Sequence, residues 1–117
     1  MLGGRRQIGT ERGILADEGG KHKPMYAELA AKYPVEYIAG GATQNSIRVA
    51  QWMMNSPGAT AFIGCIGTDS FGETLESSAK ADGVNVQYMK QTKEPTGTCA
   101  VLVKGGERSL VANLAAA

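Results

Sequence analysis

The stretch ATAFIGCIG, residues 59–67, is almost wholly apolar or glycine. A strand with one wet face alternates apolar and polar side chains, whereas a strand covered on both faces does not. The segment therefore predicts a buried strand of a parallel sheet, and parallel neighbours need helical crossovers between them. The flanking sequence supplies these. From Gln44 to Asn55, Ile47, Ala50, Met53 and Met54 recur at helical spacing, with Arg48, Gln51 and Asn55 opposite and Pro57-Gly58 as the stop. After the strand, Ser70 and Glu73 match the S-x-x-E capping box, and Leu75 and Ala79 carry a helix to Asp82-Gly83. VNVQYM, 84–89, alternates as the next strand.

Two further apolar strands follow, GTCAVLV at 97–103 and RSLVANL at 108–114, joined by the turn Lys104-Gly105-Gly106-Glu107. Upstream, ILA at 14–16 predicts a short strand and Pro24 opens a helix to about Lys32. VEYIA at 35–39 predicts another strand, and residues 1–13 read as irregular. The expectation is an α/β fold with a parallel core and a separate antiparallel piece. The sequence stops directly after an apolar strand, so it reads as cut rather than finished.

A net charge of +1 gives no reason to expect nucleic acid or an anionic membrane surface. No apolar run approaches the roughly 20 residues that span a bilayer, and MLGGRRQIGTERG has neither the core of a secretory signal nor the serines of a transit peptide. Cys65 and Cys99 lie in apolar runs and read as buried, reduced thiols of a cytoplasmic protein. His22, the sole histidine, sits among lysines and reads as a surface residue. Neither a zinc site nor a Ser-His-Asp triad has its parts.

AGGATQNSIRVAQW, 39–52, places two glycines at a helix entrance. Glycine lets a ligand approach the main chain, and the first turn presents free N–H donors. Asn45 adds a donor and an acceptor suited to two adjacent hydroxyls, and the absence of nearby positive charge favours a neutral polyol over a phosphate. On spacing alone, a plain turn capped by Thr43 is the stronger reading. GCIGTDSFG, 64–72, is G-x-x-G-x-D, and no acid closes the following strand, so a dinucleotide site is disfavoured. A turn capped by Ser70, with Asp69 near the helix dipole, suffices there.

Taken together, AGGATQNSIRVAQWM, FIGCIGTDSFGE, PTGTCAVLV and ERSLVANLAAA resemble the N-terminal part of the adenosine kinases, within the ribokinase-like carbohydrate kinase family, from about Ile14 to Ala117. The resemblance overturns the plain-turn reading. It implies a Rossmann-type core, about 45–89, with a small β-sheet lid from 14–16, 35–39 and 97–114. It also implies a role for Gly40 and Gly41 beside the ribose, with Asn45 on its hydroxyls. Leu15, Cys99, Leu110, Ala112 and Leu114 would wall the nucleoside, with the last three on one strand face by alternation. Ordinary sheet packing remains open for that face, and Arg108 turning toward the phosphate is the weaker inference.

The reaction implied is transfer of the ATP γ-phosphate to the adenosine 5′-hydroxyl, giving AMP for purine salvage, with Mg²⁺ and a late G-A-G-D aspartate. These 117 residues contain no G-A-G-D run, so no catalytic residue, metal ligand or ATP site is assigned to them. Nor does the amino-terminal stretch supply a convincing counterpart of the acid that grips the ribose. The expected partner is adenosine, for a cytoplasmic and monomeric family member. This chain is expected to be inactive alone and free to self-associate. The alternatives are another sugar or nucleoside kinase of the family, or a non-catalytic nucleoside-binding piece.

Overall fold

The computed structural model describes residues 12–15 and 22–116 of the chain. The apolar stretch forms β2 (Ala61–Gly67), and β3 (Asn85–Gln91) runs parallel to it through the crossover helix α3 (Ser70–Ala81). Registers Phe62↔Val86 and Gly64↔Tyr88 set one face of this pair against the helices. There Ala79, Val84 and Val86 form the core, with Ile47, Phe62 and Tyr88 packed around them. The Phe62 and Tyr88 rings meet edge-on at 5.8 Å between centroids.

The other face differs from expectation. Ile63 is 81% and Met89 66% exposed, because among the described residues no element lies over them.

A second sheet has strand order β1-β5-β4, built from β1 (Arg12–Leu15), β5 (Glu107–Asn113) and β4 (Thr98–Lys104). β4 and β5 are the predicted hairpin, and Gly105 and Gly106 both take the positive φ that a two-residue turn needs. β1 pairs parallel to β5. It ends at Leu15, and Ala16 of the expected strand lies outside the described residues, as do residues 1–11. Helix α1 (Lys23–Lys32) joins this sheet through Tyr26, whose hydroxyl donates to the Val111 carbonyl at 2.8 Å. Burial, with a smaller contribution from nearby Cys99, raises the pKa of that phenol.

Three local expectations are corrected. Residues 35–39 are extended but belong to no ladder, with Val35, Tyr37 and Ile38 at 45%, 64% and 77% exposure. Alternation there suits a strand, but no described strand edge takes up its backbone groups. Tyr37 instead rests on Phe71, ring centroids 5.6 Å apart.

Helix α2 (Ala42–Met54) ends at Asn55, which adopts φ 48°, before Pro57 is reached. Its inner face is also rotated from the predicted one. Gln44 and Gln51 are buried, while Met53 and Met54 are exposed. Gln51 is tolerated inside because both ends of its amide are engaged: Nε2 donates to the Ser56 carbonyl, and Oε1 accepts from the Thr60 amide and hydroxyl.

The cap of α3 is Asp69 rather than Ser70. Its Oδ1 accepts the Gly72 amide at 2.8 Å and the Thr96 hydroxyl at 2.6 Å, and its Oδ2 accepts the Thr96 amide at 2.8 Å. The longer-range partner Thr96 selects Asp69 for the cap. Thr96 Oγ1 in turn accepts the Gly67 amide, and the approach is so close that a Cβ on Gly67 would lie 2.7 Å from the Thr96 nitrogen. Ala116 donates to the Pro95 carbonyl. Both ends of the hairpin are thereby fastened beside the top of β2.

Candidate functional site

The glycine pair stands where the chain enters α2. Gly41 is the N-cap residue at φ 104°, a conformation an L side chain rarely adopts, so glycine is required there on backbone grounds. Among the described residues no side chain caps the helix, and Thr43 lies inside it instead of serving as the cap. Nothing stands within 4 Å of a Cβ placed on Gly40, so the space over that residue is open. The loop is held from below: Arg48 pairs with Asp82, and its Nη1 donates to the Ala39 carbonyl at 3.3 Å.

Asn45 starts the intrahelical ladder by donating its amide to the Gly41 carbonyl at 2.8 Å. Its side chain is exposed and finds no hydrogen-bond partner among the described residues. It borders a shallow open groove shared with Arg48, Val49, Trp52 and Asp82. The entrance thus offers open backbone and an uncommitted amide at one corner, which suits a neutral, hydroxyl-rich ligand.

Sequence reasoning chose Asn45 and passed over Gln44, which is 2% exposed. Its Oε1 accepts the Tyr88 hydroxyl across the core, and its Nε2 is buried without a partner among the described residues. Burial is the first cause of the raised Tyr88 pKa. This pair locks the first turn of α2 onto β3, and so fixes the direction in which Asn45 points. The signal available was spacing: Gln44, Ile47 and Gln51 share one helical stripe, a pattern masked by the polarity of its two ends.

Of the residues predicted to wall a nucleoside, several share register positions in the second sheet. Leu15, Ala112 and Cys99 stand opposite one another in one row across β1, β5 and β4. Leu110 lies two residues along β5 opposite Val101, hence on the same face as Ala112. Leu114 follows the last strand residue, Asn113, and is 52% exposed, so the alternation Leu110-Ala112-Leu114 runs past the end of the strand. Cys99 is exposed rather than buried, and Cys65 is half-buried; both are free thiols. Arg108 lies at the turn end of β5 opposite Val103, about 13 Å along the strand from Ala112. No hydrogen bond among the described residues ties Gly40, Gly41 or Asn45 to this sheet.

Both described aspartates are engaged. Asp69 is held by Thr96 and Gly72, and Asp82 by Arg48. The Thr96 hydroxyl and amide, followed by the Gly72 and Phe71 amides, hold the Asp69 carboxyl below the usual carboxylate range. No group of three or more His, Cys, Asp or Glu side chains gathers among the described residues.

Comparison with known proteins bears on the chain as a whole. Adenosine kinase 2 of Arabidopsis thaliana is 58% identical over 110 residues, which are 94% of this chain and 31% of that protein. The adenosine kinase of Anopheles gambiae, solved in complex with P1,P4-di(adenosine-5) tetraphosphate, superposes with a TM-score of 0.85 at 58% identity over 90% of this chain and 31% of its own. The Schistosoma mansoni enzyme in complex with 2-fluoroadenosine gives 0.85 at 34% identity, over 93% of this chain and 31% of its own. The chain thus spans about a third of the length of these relatives, as an N-terminal portion of the kinase fold. The model of the pfkB family carbohydrate kinase matches residues 16–117, and the chain belongs to that family.

Proposed function

We propose that this chain forms the nucleoside-binding side of an adenosine kinase, which transfers the ATP γ-phosphate to the 5′-hydroxyl of adenosine to give AMP. The observation that carries the reading is the entrance of α2. Its backbone turn requires glycine, no side chain caps it, and the Asn45 amide beside it is uncommitted. It occurs in a chain 58% identical to an adenosine kinase.

In this reading Asn45 donates to one ribose hydroxyl and accepts from its neighbour, while Gly40 and Gly41 let the sugar approach the main chain. Leu15, Cys99, Leu110, Ala112 and Leu114 exclude water from the flanks of the nucleoside, and Arg108 reaches toward the phosphate. Phosphoryl transfer depends on positioning and charge stabilisation, and positioning is what these residues contribute. ATP and Mg²⁺, when bound, supply the phosphoryl group and neutralise its developing charge. The described residues do not fit either of them, having no acid cluster and no aspartate free to take the hydroxyl proton. In this reading the 117 residues, which contain no G-A-G-D run, do not by themselves turn over adenosine. Two free thiols suit a reducing compartment such as the cytoplasm.

Calorimetric titration of the chain with adenosine, inosine and ribose tests the reading. Adenosine is expected to bind best, and Asn45→Ala to weaken it about tenfold without altering unfolding, as loss of a hydrogen-bonded amide implies. A preference for ribose or inosine would move the assignment to another kinase of the family. Undiminished adenosine binding by Asn45→Ala would remove its basis. With ATP and Mg²⁺ present, AMP production above a mock-purified control would refute the inactivity of the isolated chain.

A further inference from the structure

The glycine pair closes a strap that no sheet holds. Residues 34–40 are extended but belong to no ladder, so their backbone groups lack regular partners. A segment of this kind keeps its place only where other groups fasten it. Two contacts among the described residues do so, and both lead to α3. Tyr37 rests on Phe71 in the first turn of that helix. Arg48, from the second turn of α2, donates Nη1 to the Ala39 carbonyl and Nε to Asp82, the C-cap residue of α3. Asp82 is itself fixed, its amide donating to the Ser78 carbonyl at 3.2 Å.

Arg48 is thus a strut between the end of one helix and the residue just ahead of Gly40. A planar guanidinium holds its donors at fixed angles, so anchoring Nε on Asp82 also sets where Nη1 reaches. Nothing stands within 4 Å of a Cβ placed on Gly40, so packing does not set the position of the loop there. Two successive glycines are the most permissive backbone a chain can have, and an anchor directly before them is what restricts them. The Arg48 and Asp82 side chains are 28% and 39% exposed, so dissolved ions reach the pair.

We infer that Arg48 is a positioning residue for nucleoside binding: through Ala39 it holds the Gly40-Gly41 main chain in the form against which the ribose docks, with Asp82 as its anchor. The inference rests on the kinase reading above and adds a residue that acts through the backbone rather than on the ligand. Adenosine is uncharged at neutral pH, so salt does not weaken its binding directly. Salt instead screens the ion pair that prepares the seat, and the binding of a neutral molecule becomes salt-dependent.

The test is calorimetric titration of the 117-residue chain with adenosine at about 50 and about 500 mM sodium chloride, on variants shown to be folded by urea unfolding. The affinity of the parent should fall about twofold across that range. Arg48→Ala should weaken binding about tenfold and remove the salt dependence. Arg48→Lys keeps the charge but not the fork, and should recover part of the loss. Asp82→Asn keeps an acceptor without the charge, and should remove the salt dependence alone. Lys80→Ala breaks an ion pair on the outer side of α3 and should change neither affinity nor its response to salt. A readout without ligand is hydrogen exchange at the Asn45 backbone amide, whose acceptor is the Gly41 carbonyl. Arg48→Ala should speed it at least tenfold relative to the Glu73 amide, which is bonded to Asp69 at the far end of α3. Exchange at Asn45 no faster in Arg48→Ala would overturn the inference, whether or not adenosine binds. So would full affinity in Arg48→Ala, or a salt dependence that persists in Asp82→Asn. A parent chain that does not bind adenosine would sink the kinase reading, and the exchange measurement still decides whether the strut holds the glycine pair.

Discussion

Replacing Asp69 by alanine removes three hydrogen bonds that meet on one carboxylate. One is the cap of α3, and losing a cap costs about 1 kcal/mol. The other two come from Thr96, which is 4% exposed. Stripping its amide of an acceptor leaves a buried donor unsatisfied, at about 1–3 kcal/mol. The sum is a loss of about 2–4 kcal/mol, large against the roughly 5–15 kcal/mol of a small domain.

Urea unfolding followed by far-ultraviolet circular dichroism, extrapolated linearly to water, measures that loss directly. Asp69→Asn separates charge from shape. It keeps an oxygen for the Gly72 amide and the Thr96 hydroxyl but turns an NH₂ toward the Thr96 backbone amide, itself a donor. The Asp69 pKa is lowered by folding, so its stabilisation is present above the ordinary carboxylate value near 3.9 and is lost as pH falls through the lower folded value. The acid limb of stability against pH should therefore flatten in Asp69→Asn. It should not vanish, because Lys80 and then Lys90 also hold Glu76 below its usual range. A cost below about 0.5 kcal/mol for Asp69→Ala, typical of a featureless surface change, would refute the argument. So would an acid limb identical in the Asn variant and the parent.

Other outcomes follow from the same contacts. Gln51→Leu should cost about 2–3 kcal/mol in the same urea assay, since Thr60 loses the acceptor of its amide and hydroxyl in a half-buried site. Gly41→Ala should cost about 1 kcal/mol or more, because alanine is strained at φ 104°, whereas Gly40→Ala meets open space and should leave stability within about 0.5 kcal/mol. Tyr88 has a raised pKa, so its stabilisation is complete below the ordinary tyrosine value near 10 and is lost as pH rises through the folded value. Tyr88→Phe should reduce the alkaline fall in stability, leaving the part due to Tyr26.

Local patterns carried much of the fold into the sequence. The unbroken apolar run at 61–67, the helical spacing after Ser70 and the Gly105-Gly106 turn each speak for themselves, because neighbouring residues supply the physics. The errors fall where a distant partner decides. Asp69 displaced Ser70 as cap because of Thr96, 27 residues away. Gln51 went inward because Thr60 awaited it, and Gln44 because Tyr88 did. Residues 35–39 have the alternation of a strand, and what they lack is a neighbour. For the site, the need for glycine at position 41 lies in a backbone turn, and the Leu15-Ala112-Cys99 row lies in a strand register, neither of which spacing alone displays. The Gln44 amide behind Asn45 was invisible to any reading that equates polarity with exposure.

The pairing of β1 with β5 has a kinetic corollary. Arg12 meets Ser109 and Leu15 meets Ala112, so the earliest described strand finds its only described neighbour 97 residues downstream, 109 minus 12. At roughly 5–20 residues per second, translation leaves that strand waiting about 5–20 s after it leaves the ribosome. During that interval its backbone is open to any passing strand, and the ring it finally closes is among the most entropically expensive this chain can form. Nascent molecules should therefore be vulnerable to capture, by chaperones or by one another, until β5 emerges.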